Sequence, residues 1–158
     1  MTKDAFGQLY LQLLPGLYRL ALSILHHRED AMDAAQQAIE KAWNASDRIR
    51  SGEEKAYITR VVINECRNIQ RHRMHIIPGV EDFIDIPSAA NPPDTALADA
   101  ITSLPERVRL PLLLKYMEGY SEKEASKALG ISVPALKSRL FKARSMLKDI
   151  MMEEAEEK

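Results

Sequence analysis

The chain has 158 residues and a formal net charge of −1, and 46% of its residues are hydrophobic. This length supports one average domain or two small ones, and the hydrophobic content excludes a disordered chain. A single cysteine, Cys66, excludes an internal disulfide and a cysteine-based zinc site, as expected for a protein of the reducing cytosol.

Apolar residues recur every three or four positions at the start of the chain and predict a helix there. The pattern runs from Phe6 to Ile24, and Pro15-Gly16 predicts a break or a kink within it. Because polar and helix-breaking residues interrupt this apolar stretch, it predicts neither a signal peptide nor a membrane span. We therefore expect a soluble, cytoplasmic protein.

An alanine-rich segment predicts a second helix over about residues 30–45, with Trp43 near its end. A polar loop follows at residues 47–54, and a third helix is expected over about residues 55–73. Arginine and asparagine, which readily contact phosphates and base edges, dominate one face of this third helix. The alternative is an ordinary arginine-rich face in contact with solvent. The residues of this face are Arg60, Asn64, Arg67, Asn68 and Arg71.

The composition changes abruptly between Met74 and Asp99, a stretch without lysine or arginine. Proline and acidic residues are frequent there and favour an extended chain, so we interpret residues 75–94 as a linker. This linker is either a solvated spacer or a strap that threads a positively charged channel of a large partner. The low net charge then results from basic helical faces balanced by acidic connectors, including an acidic tail at residues 153–158.

The segment from Tyr120 to Lys148 predicts two helices joined by a tight turn. Ser121 and Glu124 form a capping-box pattern, and Gly130 can take the left-handed conformation that ends the first helix. Ser132 is placed to cap the second helix, which has an apolar stripe on one side and basic residues on the other. A short helix, a glycine turn and a long basic helix are typical of a helix-turn-helix DNA reader.

The basic side of this last helix carries an aromatic residue, Phe141. An aromatic ring there can touch a thymine methyl group, while Ser138 and Lys142 reach base edges or phosphates. The alternatives are that Phe141 packs as boundary core and that the basic residues form only a solvated face. Solvated faces usually mix signs, however, and no acid occurs between Glu124 and Asp149. The candidate DNA contacts are Lys137, Ser138, Arg139, Phe141, Lys142 and Arg144.

Two basic helical domains joined by an acidic linker resemble a bacterial RNA polymerase sigma factor of the extracytoplasmic-function (ECF) group. The segment from Asp30 to Trp43 is similar to the family's helix that docks on the polymerase clamp, and the segment from Ala56 to Arg71 is similar to its -10-element helix. Three strings resemble the family's -35-reading domain, and with them the resemblance covers almost the whole chain. They are Leu104-Pro-Glu-Arg, Glu118-Gly-Tyr-Ser and Ala135-Leu-Lys-Ser-Arg-Leu-Phe-Lys-Ala-Arg144.

This resemblance implies an all-α protein of two small helical domains. An N-terminal helical bundle is expected at residues 1–74 and a C-terminal helix-turn-helix domain at residues 95–152, joined by the extended, acidic, proline-containing linker. The resemblance also implies functional residues in the first domain. They are Asp33, Gln36 and Trp43 for core polymerase, Arg60, Asn64, Arg67 and Arg71 for the -10 region, and Arg48 and Arg50 in a loop that resembles the family's base-capturing loop.

Several positions depart from the family pattern. Met32 stands where the family usually has an acid, which weakens one expected clamp contact. Tyr57 and Asn68 replace a common tryptophan and a frequent aspartate, and Ala125-Ser126 replaces an isoleucine-alanine pair. Pro111 lies inside an expected helix and predicts a kink or a helix opening there.

On this resemblance we expect an alternative sigma factor, which binds core RNA polymerase and promoter DNA and directs initiation at -35 and -10 elements. The resemblance admits an anti-sigma factor as a further partner. No cofactor, metal site or small-molecule substrate is expected, and no glycine-rich phosphate loop or triad-like spacing supports an enzyme. Two alternatives stay open: a stand-alone helix-turn-helix regulator that binds a palindrome as a dimer, and a protein-interaction module whose basic faces meet acidic partners.

Overall fold

The structure is a computed structural model that describes residues 2–73 and 95–156. Helices connected by short turns make up this described part of the chain, which contains no strand, so the predicted all-α fold is confirmed. The residues form two compact units, one built on the helices before residue 74 and one built mainly on those after residue 94. The predicted linker at residues 75–94 lies outside the described residues.

Three helices build the first unit: α1 (Lys3–Leu25), α2 (Arg28–Asn44) and α3 (Glu54–Arg73), with a short 3₁₀ turn (Ser46–Arg48) after α2. A break or a kink is predicted at Pro15-Gly16, and α1 runs through Pro15 as one helix without a break. A proline cannot donate a backbone hydrogen bond to the carbonyl four residues earlier, here that of Leu11. Because Leu11 and Pro15 both lie on the exposed side of α1, water can satisfy this carbonyl and the helix continues.

Alanines on one face of α2 bring the three helices of the first unit close together. Ala31, Ala34, Ala35 and Ala38 are fully buried, and their small side chains leave room for larger residues from α1 and α3. The Tyr10 hydroxyl from α1 donates to the Ala35 carbonyl at 3.1 Å, and burial raises the pKa of this phenol above its ordinary value. The alanine pattern therefore fixes the core side of α2 and leaves its other side exposed.

The C-terminal end of α3 fastens the junction between α1 and α2. Arg73 donates from Nη1 to the Leu25 carbonyl at 2.9 Å and forms an ion pair with Asp30. The start of α2 lies two residues before its predicted start at Asp30, because the His27 side chain caps it by accepting from the Asp30 backbone N–H at 3.2 Å. Histidine is not among the residues preferred at this position, so the sequence pattern did not reveal the cap.

The second unit contains α4 (Thr95–Ser103), α5 (Glu106–Leu112), a π turn (Leu113–Met117), most of α6 (Glu122–Leu129) and α7 (Val133–Glu156). Its core includes Leu104, Val108 and Leu112 packed against Ala143 of α7. Helix α7 continues through Glu156, so four residues of the predicted acidic tail at 153–158 are helical and the last two lie outside the described residues. No helix in residues 2–73 or 95–156 is long and apolar enough to cross a membrane.

A proline precedes a local change of helix type in the second unit. Pro111 lies in the last turn of α5, and the helix widens directly after α5 into the π turn, where the Glu118 backbone N–H donates to the Leu113 carbonyl at 3.0 Å. A kink or a helix opening is predicted at Pro111, whereas the change in the structure lies two residues later, where the π turn begins. Such turns often occur at functional sites because they re-aim side chains.

Candidate nucleic-acid interface

The helix-turn-helix of the second unit is capped as its sequence predicts. The Glu124 backbone N–H donates to Ser121 Oγ at 3.0 Å, and the Ser121 backbone N–H donates to Glu124 Oε1 at 2.9 Å, which is a reciprocal capping box. Gly130 follows α6 with a φ of +70°, a conformation that side chains other than glycine rarely adopt. Ser132 Oγ then accepts from the Ala135 backbone N–H at 3.2 Å and caps α7. These caps fix where α7 begins and hence which of its residues face outwards.

Helix α7 has a buried side and an exposed, cationic side. Leu136, Leu140 and Ala143 are buried, whereas Phe141 on the other side is 71% exposed. The alternative in which Phe141 packs as boundary core is therefore not what the structure shows. Arg139 is half-buried at the flank of the exposed side and has a partner of its own. We call the exposed side the reader face, and it consists of Lys137, Ser138, Phe141, Lys142, Arg144, Ser145 and Lys148.

Residues from the π turn and α6 contact one edge of the reader face. Glu122 Oε1 accepts from Lys115 Nζ at 2.6 Å, and Glu122 Oε2 lies 3.7 Å from Lys137 Nζ. The hydrogen bond from Lys115 holds the pKa of the Glu122 carboxyl below its ordinary value, with a further contribution from the positive charge of Lys137. Arg144 donates to the hydroxyl oxygen of Tyr116. Sequence analysis missed these partners, because a π turn that places residues 115 and 116 beside α7 has no periodic signal.

The predicted basic face of α3 is exposed in the structure. Arg60, Asn64, Arg67 and Arg71 follow one another at intervals of three or four residues, so they form a straight stripe along the helix. On the other side of α3, Ile58, Val62 and Cys66 are fully buried. The burial of that side and the attachment of Arg73 at the helix end hold the stripe towards solvent.

An open pocket of about 400 Å³ lies at the loop between α2 and α3, next to the start of the α3 stripe. Arg48 and Arg50, which the sequence singles out in this loop, both line it. The lining combines cationic, acidic, aromatic and apolar groups. Sequence reasoning did not place the other lining residues together, because they meet only when the loop folds back against α3. The complete lining is Ala45, Arg48, Ile49, Arg50, Glu53 and Tyr57.

The outer side of α2 presents the three residues that the resemblance connects with core polymerase. Asp33 and Gln36 are exposed, and Trp43 is 38% exposed at the end of the same side. The ring of Trp43 packs edge-on against Phe6 with centroids 6.0 Å apart. Lys3 Nζ lies 4.7 Å from the Trp43 ring centroid and donates to the Trp43 carbonyl at 2.7 Å. Lys3 therefore fixes this tryptophan at the end of α2, a role that sequence reasoning did not find.

Comparisons with known proteins match both parts of the chain to models of one protein family. Residues 9–75 match the family model of Sigma-70 region 2, and residues 94–147 match that of Sigma-70 region 4. The ECF RNA polymerase sigma factor SigM of Mycobacterium tuberculosis is 30% identical over 147 residues, which cover 90% of this chain and 75% of SigM. This chain belongs to the ECF family of sigma factors.

Further relatives of this sigma factor agree with the assignment. SigV of Bacillus subtilis is 25% identical over 83% of this chain and 81% of SigV. The crystal structure of the sigma factor RpoE from Bartonella quintana, in complex with the anti-sigma factor NepR, has a TM-score of 0.75 and 25% identity over 96% of this chain and 98% of RpoE. The resemblance found in the sequence is thereby confirmed, and so is the function: an alternative sigma factor that binds core RNA polymerase and directs it to promoters. The stand-alone regulator is not favoured.

Proposed function

We propose that this sigma factor reads the -35 promoter element with the reader face of α7. The observation that supports this assignment is the exposure of Phe141, an apolar ring left in water at 71% among cationic side chains. A recognition helix places its first turns against base edges in the major groove. Lys137 and Ser138 are then closest to the bases, and Phe141 and Lys142 follow one turn later. Arg139 and Arg144 contact backbone phosphates on either side of these bases.

The -10 region is assigned to the first unit. The stripe of Arg60, Asn64, Arg67 and Arg71 on α3 binds the DNA backbone and base edges there. The neighbouring pocket, with Arg48 and Arg50 in its wall, holds one base after that base has left the stack. Unstacking a base costs a few kcal/mol, so the pocket must recover about that much through stacking and hydrogen bonds. An aromatic residue and two arginines in the lining provide both kinds of contact.

The outer side of α2 is the proposed contact with core RNA polymerase. Asp33 and Gln36 offer polar groups, and the partly exposed edge of Trp43 offers an apolar anchor, the combination common in interfaces. Met32 is also exposed on this helix, in the position where the family usually has an acid. The contact of this chain is therefore proposed to depend more on apolar burial around Trp43 and Met32 than on charge.

Two DNA readers on one chain bind better together than either does alone. We propose that the domains are residues 1–74 and 95–152, with residues 75–94 as the linker and residues 153–158 as an acidic end. When one reader is bound, the linker raises the effective concentration of the other at its own site. The length of the linker then limits which spacings between the -35 and -10 elements are used.

The remaining assignments follow from the family. RpoE is crystallised with the anti-sigma factor NepR, and an anti-sigma factor is the proposed regulator of this chain as well. We propose that the protein has no catalytic activity of its own, because its role is to direct the polymerase, which performs the chemistry. Its place of action is then the cytoplasm, where the polymerase and the promoters are.

Run-off transcription with core RNA polymerase tests the proposal as a whole. Addition of this chain should produce transcripts with defined start points from a responsive promoter, and their absence would contradict the function. The α3 stripe is tested by changing Arg60→Ala and Arg67→Ala together. The logarithmic salt slope of open-complex formation should fall by about 1.4–1.8, because two phosphate contacts are lost. Arg28→Ala, at an exposed arginine of α2 outside the stripe, is the control and should leave the slope unchanged.

A further inference from the structure

The π turn places a tyrosine beside the reader face, although this residue belongs neither to the reader helix nor to the helix before it. Tyr116 lies in the turn Leu113–Met117 and is 52% exposed. Arg144, two helical turns along α7 from Lys137, donates a hydrogen bond to the Tyr116 hydroxyl oxygen. Because the phenol oxygen accepts this bond, its own O–H group is left to donate to another acceptor.

The donors of this pair point to an anionic ligand. The Arg144 guanidinium has further N–H groups besides the one bound to Tyr116, and the phenol O–H adds a neutral donor beside them. Lys115 Nζ lies 5.7 Å from the centroid of the Tyr116 ring, which adds a second cation next to the pair. A phosphate of the DNA backbone, with several acceptor oxygens and one negative charge, matches this set of donors.

The neighbouring groups hold the same edge of the reader face in place. Lys115 is fixed by its hydrogen bond to Glu122, and Glu122 also lies within ion-pair distance of Lys137. Lys137 and Arg144 are separated by two turns of α7, so they lie on one edge of the reader face. A continuous series of contacts thus connects Lys137 with Arg144 on the reader face. It runs through three side chains from outside α7: Glu122, Lys115 and Tyr116.

We propose that Tyr116 and Arg144 act together as one anchor for a DNA backbone phosphate at the edge of the -35 contact. The anchor rests on the proposed role of α7 as the -35 reader. Tyr116 orients the arginine before DNA arrives, so less side-chain freedom is lost on binding. It also donates its own O–H to the same phosphate. The residue is therefore a DNA contact and a positioning residue, and the π turn is the element that supplies it.

A double-mutant cycle in the reconstituted holoenzyme tests the anchor. The variants Tyr116→Phe, Arg144→Ala and the double variant are made in the full chain, combined with core RNA polymerase, and measured for affinity to a promoter fragment. Tyr116→Phe keeps the ring and its packing, so the unfolding midpoint should stay unchanged. We expect it to weaken binding by about two- to tenfold, the range for ordering one flexible side chain. The double variant should bind more tightly than the product of the two single effects predicts, because Tyr116 has no arginine left to orient once Arg144 is removed.

Lys148→Ala is the matched control for the cycle. This lysine is exposed one turn beyond Arg144 on the same edge, and within the described residues no hydrogen bond or ion pair is found for it. The factor by which Lys148→Ala weakens promoter binding should multiply with the factor for Tyr116→Phe when the two changes are combined. Because a phosphate contact does not read sequence, Tyr116→Phe should also weaken cognate and mismatched -35 fragments by the same factor.

Failure of the anchor is distinguishable from failure of the -35 assignment. Two results would overturn the anchor. One is that the factors by which Tyr116→Phe and Arg144→Ala weaken promoter binding multiply in the double variant. The other is that Tyr116→Phe leaves promoter affinity unchanged. If Lys142→Ala still weakens binding in those experiments, the -35 assignment stands without it. If Lys142→Ala and Phe141→Ala both leave promoter affinity unchanged, the reader face itself is refuted, and the anchor falls with it.

Discussion

Alanine substitutions at two adjacent residues of α7 should have separate effects, one on DNA binding and the other on the free energy of unfolding. Phe141 is 71% exposed on the reader face, whereas Leu140, the residue before it, is 1% exposed in the core of the second unit. Phe141→Ala should therefore weaken binding to the -35 element without lowering the free energy of unfolding. Leu140→Ala should lower the free energy of unfolding by about 2–5 kcal/mol, because it removes a buried side chain and leaves a cavity.

The expected loss of affinity follows from the area that the ring can bury. A phenylalanine side chain offers about 200 Å². If half of the exposed 71% is covered by bases on binding, about 70 Å² leaves the water. At about 25 cal/mol per Å² this is about 1.8 kcal/mol, and the methyl group that alanine retains reduces the expected loss to about 1–1.5 kcal/mol. The dissociation constant should rise about five- to twelvefold.

The assay compares fragments that differ only in the -35 element. Holoenzyme made with each variant is titrated with a cognate fragment and with fragments that carry single -35 substitutions, and urea unfolding of the chain alone gives the free energy of unfolding. Phe141→Ala should relax the preference at one base pair, since the ring reads a base rather than a phosphate. Unchanged affinity with a lower free energy of unfolding would refute the reasoning, because it would show that Phe141 serves the core.

Three further predictions concern the scaffold of the reader face. Glu122→Gln should lower the free energy of unfolding above pH 4.5, the ordinary pKa of this group. This loss should disappear as the pH falls through the lower pKa that the carboxyl has in the fold, and urea unfolding at several pH values measures it. A loss that does not change with pH contradicts the pairing of Glu122 with the lysines. Arg109→Met should cost about 1.5–3 kcal/mol in the free energy of unfolding, because Nη1 of this buried arginine donates to the Leu104 carbonyl at 2.7 Å; an unchanged value refutes this role. Gly130→Ala should cost about 1–2 kcal/mol, because its φ is +70°. Gly7→Ala in α1, where an added methyl group meets its nearest atom at an ordinary 3.8 Å, is the matched control and should not destabilise in thermal unfolding.

Much of the helix-turn-helix was predictable because its signals are local. Ser121, Glu124 and Ser132 form the expected caps, and Gly130 takes the expected left-handed conformation. Each of these depends on hydrogen bonds or backbone preferences within four residues, so a short window of sequence contains all the information. The buried stripe of α7 was predictable for the same reason, since helical periodicity alone decides which side is apolar.

Predictions from the sequence failed where the tertiary environment changed the effect of a local residue preference. Pro15 predicted a break or a kink, yet α1 continues without a break because the affected carbonyl lies on an exposed side. His27 was not recognised as the cap of α2, because histidine is seldom used there and its suitability depends on the approach of Asp30. Pro111 predicted a kink or a helix opening at its own position and did not indicate that a π turn follows α5.

For this protein, then, the sequence by itself determined the all-α class, the stripes that face the core, the cationic face of α7 and the family resemblance. All of these repeat at short intervals along the chain or are carried by contiguous motifs. Only the tertiary structure decided that Phe141 is exposed, that the loop before α3 lines a pocket, and that Tyr116 contacts Arg144 and Lys3 contacts Trp43. The physical reason is that each of these features brings together side chains that are distant in sequence or depends on packing around them, and no periodic pattern of residues records such a meeting.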